Sequence, residues 1–237
     1  MPSPASRRSR SRGSRRSPRP YHHGDLPRAL VEGAVALLRE RGAAALTLRA
    51  AARRAGVSQA APYRHFADKE ALLAAVAEEG FRALERATAD AARRTIGDPL
   101  ARLEAMGGAY VRFAAQHPDH YRVMFGSEVR DRSAHPALRT AAQHAFRAIA
   151  ETIADGQRAR HLRQGDVEEL ARAAWALVHG LAQLAIDGQI PLSPRSSGLD
   201  AAAQSATRLL VDGLRARGAP RAGLGPRARS SRRRLSR

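Results

Sequence analysis

The chain has 237 residues, 43% of them hydrophobic, enough for one large domain or for a small domain joined to a larger one. It has no cysteine, which excludes disulfides, thiolate metal sites and cysteine nucleophiles and makes a reducing compartment such as the cytoplasm natural. The formal net charge is +19, and residues 1–20 and 218–237 carry seven arginines each with no acidic residue.

Those two ends are mostly Ser, Arg, Pro and Gly. They have too little apolar surface to offset their ordering entropy and are expected to be disordered arms. Between them, residues 21–69 hold eight basic residues against four acidic ones, whereas residues 70–217 are close to neutral. A basic N-terminal module beside a larger neutral body is the charge distribution of a nucleic-acid reader carrying a second domain. The arginine-rich start is followed by no apolar stretch, and no run of eighteen apolar residues occurs, so neither an export signal nor a membrane span is expected.

Ala, Leu, Arg and Glu recur at helical spacing, and alternating β-branched runs are absent, so the expected fold is all-α. A first helix starts at Asp25 as its N-cap, buries Leu26, Leu30, Ala34 and Leu37, and stops at Gly42. A short second helix runs from the Thr47 cap to Gly56. A third runs from Ser58 to about Phe66, and Asp68 caps a longer one reaching the low nineties. Gly97-Asp98-Pro99 opens a further helix that His117-Pro118 closes, followed by a short helix through Tyr121 to Phe125. Helices over about 136–160 and 166–187 come next, and a last helix ends near Arg217.

Two short helices joined by four residues must cross closely. Ala52 supplies the small side chain and Gly56 the positive φ that such a crossing requires, which describes a helix-turn-helix over residues 47–66. Its second helix exposes Gln59, Ala60, Tyr63, Arg64 and His65 to a major groove about 12 Å wide. Gln59 suits an adenine edge and Ala60 a thymine methyl, while Thr47, Tyr63, His65 and Lys69 suit phosphates. With Arg49 and Ser58 these residues make the expected DNA-contacting set.

The segment "LTLRAAARRAGVSQAAPYRHFADKEALL" within residues 25–84 closely resembles the DNA-binding domain of TetR-family transcriptional regulators. The resemblance implies a homodimer with an N-terminal helix-turn-helix domain and a C-terminal ligand-binding and dimerisation domain, usually a repressor released by a small molecule. The implied division is an arm over 1–20, a DNA-binding domain over 21–84, a helical domain over 85–217 and a basic tail over 218–237. Pro62 departs from the family's commonest pattern, and it removes a backbone donor within the recognition helix. "AWALVHGLA" and "YVRFAAQHPDHYRVMF" further resemble a C-terminal domain type named for its Trp-His-Gly residues.

In the C-terminal half, Val167, Leu170, Ala174, Leu177, Leu181 and Leu184 form one stripe, and Ala171, Trp175, Val178, Ala182 and Ala185 a second beside it. An arc this wide calls for a cover on two sides, and a second subunit supplies the other. The expected seam is a four-helix arrangement from residues 166–187 and 199–217 of two chains, the last helix contributing Leu199, Ala202, Ala206, Leu209 and Gly213. Trp175 and His179 share a helix face and either line a ligand cavity or pack in the core. Met106, Tyr110, Phe113, Tyr121, Met124 and Phe125 complete the candidate pocket set. Gly107-Gly108 inside a helix implies that a neighbouring helix or a ligand gains from the missing side chains.

No nucleophile elbow, phosphate-cradling glycine loop or metal-ligand helix motif occurs, and Pro118 with its helix break accounts for the grouping of His117, Asp119 and His120. No enzyme activity, cofactor or metal is therefore expected. The expected partners are double-stranded DNA carrying a palindromic operator, a small-molecule effector and a second copy of the chain, with the protein on the cytoplasmic nucleoid. The rival reading is a general nucleic-acid binder working through its arms.

Overall fold

Leu30, Ala34 and Leu37, three and four residues apart, lie fully or almost fully buried along α1 (Leu26–Arg41), where the sequence spacing places them. The computed structural model describes residues 26–190 and 197–215. The expected cap Asp25, the loop holding Pro191 and Pro194, and both basic arms lie outside the described residues. Seven more helices follow: α2 (Leu48–Ala55), α3 (Lys69–Arg94), α4 (Pro99–Gln116), α5 (Pro118–Phe125), α6 (Pro136–Arg158), α7 (Val167–Ile186) and α8 (Ser197–Leu214). No strand occurs among the described residues, and an isolated bridge pairs Leu162 with Arg215. The fold is all-α.

The helix starts carry the caps expected of them. Thr47 Oγ1 accepts from Ala50 N at 3.0 Å, Asp68 from Ala71 N at 2.8 Å, Asp98 from Ala101 N at 2.9 Å and Asp166 from Glu169 N at 2.8 Å. Each such cap contributes about 1 kcal/mol by satisfying an orphan amide. At the end of α2, Gly56 takes φ 71°, and Val57 N returns to Ala52 O at 3.0 Å, closing a Schellman turn that only a residue tolerant of left-handed backbone forms cheaply.

The segment after this turn differs from expectation. In place of a helix from Ser58 to Phe66 there is one 3-10 turn over Ala61–Arg64. Pro62 has no N–H to donate to Ser58, so an i to i+4 ladder cannot begin there. Ala61 N bonds Ser58 O at 3.0 Å, and His65 N and Phe66 N both return to Pro62 O at 2.9 Å. Pro62 and Phe66 are buried and anchor this turn on the core.

α3, about 39 Å long for its 26 residues, links the two halves. It packs on α1 as well as on α4, α5 and α6. One apolar cluster runs without a break from Leu30 through Leu72, Phe81, Tyr110 and Tyr121 to Ala203, and Leu84, where the DNA-binding domain was expected to end, is buried inside it. A second cluster joins Leu100, Leu103, Ile153, Leu162, Leu170 and Val211. Gly107 sits at the crossing of α4 and α8, where a Cβ would collide with Thr207 Cγ2, so a neighbouring helix gains from the missing side chain.

The stripes on the last two helices divide differently from expectation. Leu170, Ala171, Ala174, Val178 and Ala182 of α7 face the core, as do Leu199, Ala203, Thr207, Val211 and Leu214 of α8. Leu199 was expected in the intersubunit seam. It is instead 6% exposed, because it heads the row at four-residue steps that turns towards the core. Leu177, Leu184 and Leu209 point outward with 38%, 45% and 71% of their surface exposed.

Candidate nucleic-acid interface and effector cavity

Residues 47–66 place two short elements at an angle fixed by Gly56 and by the buried Ala51, Ala52, Pro62 and Phe66. Of the expected contact residues, Thr47, Arg49, Ser58, Gln59, Ala60, Tyr63, Arg64 and His65 are all exposed, and Tyr63 shows 54% of its surface to solvent. Thr47 spends an oxygen lone pair on its cap and keeps its O–H for another acceptor. The guanidinium groups of Arg49, Arg53 and Arg64 have no side-chain partner among the described residues, whereas Arg54 is neutralised by Glu40 of α1. Arg53 was absent from the expected set, although it stands four residues after Arg49 on the same helix face. Lys69 is partly buried, and its Nζ donates to Ala43 O at 2.6 Å, fastening the start of α3 to the loop before α2.

Among α3, α4, α5, α6 and α7 lies a cavity of about 650 Å3, within the usual range for small-molecule sites. Phe81, Leu84 and Thr88 of α3, Tyr110 of α4, Phe125 of α5 and Trp175 of α7 wall it on one side. α6 supplies the other side with Leu138, Ala142, Ala145, Phe146 and Ala150, together with the exposed Arg139, Gln143 and Arg147.

Of the expected pocket residues, Tyr110, Phe125 and Trp175 reach this cavity, whereas Met106, Phe113, Tyr121, Met124 and His179 do not. Tyr121 and Met124 are fully packed in the core, and a side chain surrounded by protein lines no empty space. Met106 borders a void of about 20 Å3 beside Gly107 and Thr207, and Phe113 faces a separate groove with Arg94, Arg112 and His117. The sequence reading missed α6, whose apolar positions Leu138, Ala142, Ala145, Phe146 and Ile149 recur at three- and four-residue steps, a pattern that reads equally well as core.

His179 lies one layer behind the cavity wall. Trp175 Nε1 donates to Tyr110 Oη at 3.3 Å, the Tyr110 and Tyr121 hydroxyls meet at 3.2 Å, and Tyr121 Oη lies 2.7 Å and Tyr110 Oη 3.0 Å from His179 Nδ1. Burial pushes the Tyr110 phenol up to about 12 and that of Tyr121 further still, while burial holds His179 below its ordinary 6.5. All three are therefore neutral near pH 7, and the cluster acts as a hydrogen-bonded polar brace rather than as an acid or base. The rings continue the brace: Phe125 meets His179 edge-on at 4.6 Å, and Tyr121 stacks on it at 5.5 Å.

His117, Asp119 and His120 each have a partner of their own: Phe113 against the His117 ring, Arg39 for Asp119 and Glu79 for His120. Among the described residues, no group of three His, Cys, Asp or Glu side chains is placed to hold a metal ion, and no helix is long and apolar enough to cross a membrane.

An all-helical chain with a helix-turn-helix at one end and a ligand-sized apolar cavity in the helical body behind it defines the class of helical DNA-binding regulators. Residues 30–76 match the family model described as bacterial regulatory proteins, tetR family, and residues 103–212 match that of the tetracyclin repressor-like C-terminal domain. The chain belongs to the TetR family, whose members are DNA-binding transcriptional regulators. A protein of unknown function from Rhodococcus sp. RHA1 is 35% identical, with a TM-score of 0.73 over 84% of this chain and 100% of that one. The TetR-family regulator PfmR from Thermus thermophilus shares the fold at 19% identity and a TM-score of 0.61, covering 77% of this chain and 97% of its own. FadR from Bacillus subtilis, solved in complex with stearoyl-CoA, shares it at 15% identity and a TM-score of 0.65, covering 79% and 98%. No curated protein matches the chain.

Proposed function

We propose that this chain is a repressor that binds a palindromic operator as a homodimer on the cytoplasmic nucleoid and is released when a small molecule enters the cavity walled by Trp175 and Phe125. One observation carries the reading: α5 and the residues just after it connect the cavity to the helices that flank the helix-turn-helix. Its last residue, Phe125, walls the cavity, while Asp119 near its start binds Arg39 of α1 with an Nε to Oδ2 distance of 3.2 Å. Just beyond α5, the backbone N–H groups of Arg130 and Asp131 both donate to Glu70 Oε1 at 3.0 Å, in the first turn of α3. A ligand that displaces Phe125 therefore pulls on both helices that carry the helix-turn-helix.

Dimerisation turns that small displacement into a change of spacing. The exposed Leu177 and Leu184 of α7 and Leu209 of α8 form an apolar face, and nothing lies within 4 Å of where a Cβ would stand on Gly180 or Gly213, so a second copy can approach closely. Two recognition segments held about 34 to 36 Å apart suit successive major grooves of one DNA face, and an effector that favours another spacing weakens the operator complex. On the operator, Gln59 and Ala60 read bases, Thr47, Arg49, Ser58, Tyr63, Arg64 and His65 hold the backbone, and Lys69 sets the position of α3 while adding charge nearby.

The test is selection of fragments from a random DNA pool, followed by fluorescence anisotropy of the full-length protein on the selected site and on scrambled DNA. The expected result is an inverted repeat bound at least about a thousandfold more tightly than scrambled DNA, by two chains. Equal affinity for both DNAs would replace this reading with non-specific binding.

A further inference from the structure

The cavity has two chemically unlike ends. Away from α6 its polar groups are engaged within the protein: Thr88 Oγ1 donates to the Leu84 and Glu85 carbonyls at 3.0 and 3.1 Å, the Tyr110 hydroxyl is held by Trp175 and Tyr121, and Arg132 Nη2 donates to the Met124 carbonyl at 2.5 Å. A ligand donor or acceptor buried there would give up water and meet groups that already have partners, so the part of the ligand that occupies the interior is hydrocarbon. The exposed end is the opposite. Arg139, Gln143 and Arg147 follow one another at four-residue steps on α6, line the cavity, and have no side-chain partner among the described residues. Glu168 shares this rim, with its carboxylate held by Arg172 at 3.1 Å.

Unpaired guanidinium groups at the mouth of a mainly apolar interior whose polar groups already have partners call for one kind of occupant. We propose that the effector is an amphiphilic anion, with a hydrocarbon body in the cavity and a carboxylate or phosphate head bound by Arg139 and Arg147. The proposal rests on the cavity being the effector site. Guanidinium forks match both head groups, and about 12 Å along the helix axis separates the two residues, a span that two arginine side chains close on one head group over Gln143.

Trp175 is the only tryptophan of the chain and forms part of the wall, so its emission reports occupancy in the full-length protein. Dodecanoate, dodecyl phosphate, dodecanol and dodecylammonium, each titrated below its micelle concentration, serve as probes of equal chain length. At least one anion is expected to shift Trp175 emission with a Kd about tenfold or more below that of dodecanol, with the cation weakest; comparing the two anions separates a carboxylate source from a phosphate one. The double variant Arg139→Gln, Arg147→Gln alters only exposed positions. It is expected to raise the anion Kd about tenfold and to leave the dodecanol Kd within about twofold.

Dodecanol binding as tightly as both anions, a double variant that binds every probe as the parent does, or no emission change with any probe would each overturn the proposal. An anion that binds at Trp175 with the expected arginine dependence, yet leaves operator affinity unchanged, supports the ligand class and overturns instead the proposed effector role of the cavity.

Discussion

Arg39 of α1 and Asp119 of α5, eighty residues apart in sequence, are joined by a 3.2 Å contact at the junction between the DNA-reading helices and the helical body. The Arg39 side chain is 69% exposed and that of Asp119 13%, and Arg122 also approaches Asp119 at 4.0 Å. A pair with one partner so exposed contributes less than about 1 kcal/mol to stability, so its value lies in fixing the angle between α1 and α5. Asp119→Asn is accordingly expected to shift the unfolding free energy by less than about 1 kcal/mol while cutting the effector's influence on operator affinity severalfold. Anisotropy titrations with and without effector, beside urea denaturation, check both halves. An unchanged effector response would remove the contact from the mechanism.

The outward face of α7 and α8 gives the next test. Burying the 38%, 45% and 71% of Leu177, Leu184 and Leu209 that remain exposed against a second copy would contribute about 0.5 to 2 kcal/mol for each side chain, and a charge placed there removes that gain and adds a desolvation cost. Leu184→Glu with Leu209→Glu should therefore give a folded single chain by sedimentation equilibrium with near-parental helicity, and operator affinity should fall by orders of magnitude. A double variant that still sediments as two chains would place the dimer contact elsewhere.

Acid should loosen the Tyr110, Tyr121 and His179 brace. Burial lowers the His179 value below the 6.5 of the unfolded chain, so below pH 6.5 the unfolded state holds the extra proton and stability falls as pH falls towards the folded value. His120 acts in the same direction, its burial outweighing the opposing pull of Glu79. The urea midpoint should be lower at pH 5.5 than at pH 7.5, and His179→Gln should retain only the part due to His120. A midpoint that rises on acidification would contradict the sign.

Base reading and general DNA affinity should separate by residue. Gln59→Ala is expected to cost about 1 to 3 kcal/mol of discrimination at one operator position while leaving affinity for scrambled DNA nearly unchanged. Lys69→Ala should weaken all DNA sites alike, because Lys69 Nζ anchors the start of α3 through Ala43 O instead of reading an edge. Competition binding on single-base operator variants distinguishes the two effects, and the reverse pattern would show the contact assignment to be wrong.

The seven arginines of residues 1–20 are expected to add non-specific affinity by displacing counterions, at about 0.9 in the salt slope for each phosphate they neutralise. Removing those residues should flatten the plot of log affinity against log salt and leave operator preference intact. An unchanged slope would leave the arm without a role in binding.

The sequence determined on its own whatever depends on neighbours along the chain. Thr47, Asp68, Asp98 and Asp166 cap helices because their side chains reach amides three residues on, and Gly56 ends α2 because its backbone tolerates positive φ. The helix-turn-helix was legible for the same reason, since its features lie within twenty residues, and even its weak point at Pro62 could be read from the missing donor. How far that donor mattered was decided only in the folded chain, where burial of Pro62 and Phe66 settles the segment as a 3-10 turn instead of a helix.

The cavity was less legible. Tyr121, Met124 and Trp175 are all apolar or aromatic at helical spacing, and that spacing does not say whether a neighbouring helix fills the volume beside a side chain or leaves it empty. Tertiary packing seals Tyr121 and Met124 in the core, opens about 650 Å3 beside Trp175, and brings Phe81, Phe125 and Phe146 to it from three helices. Likewise Leu199 and Leu209 belong to one helix, yet one is buried in the core and the other faces out. Periodicity fixes the angle between two side chains on a helix, and only the packed neighbours fix the rotation of that helix about its own axis.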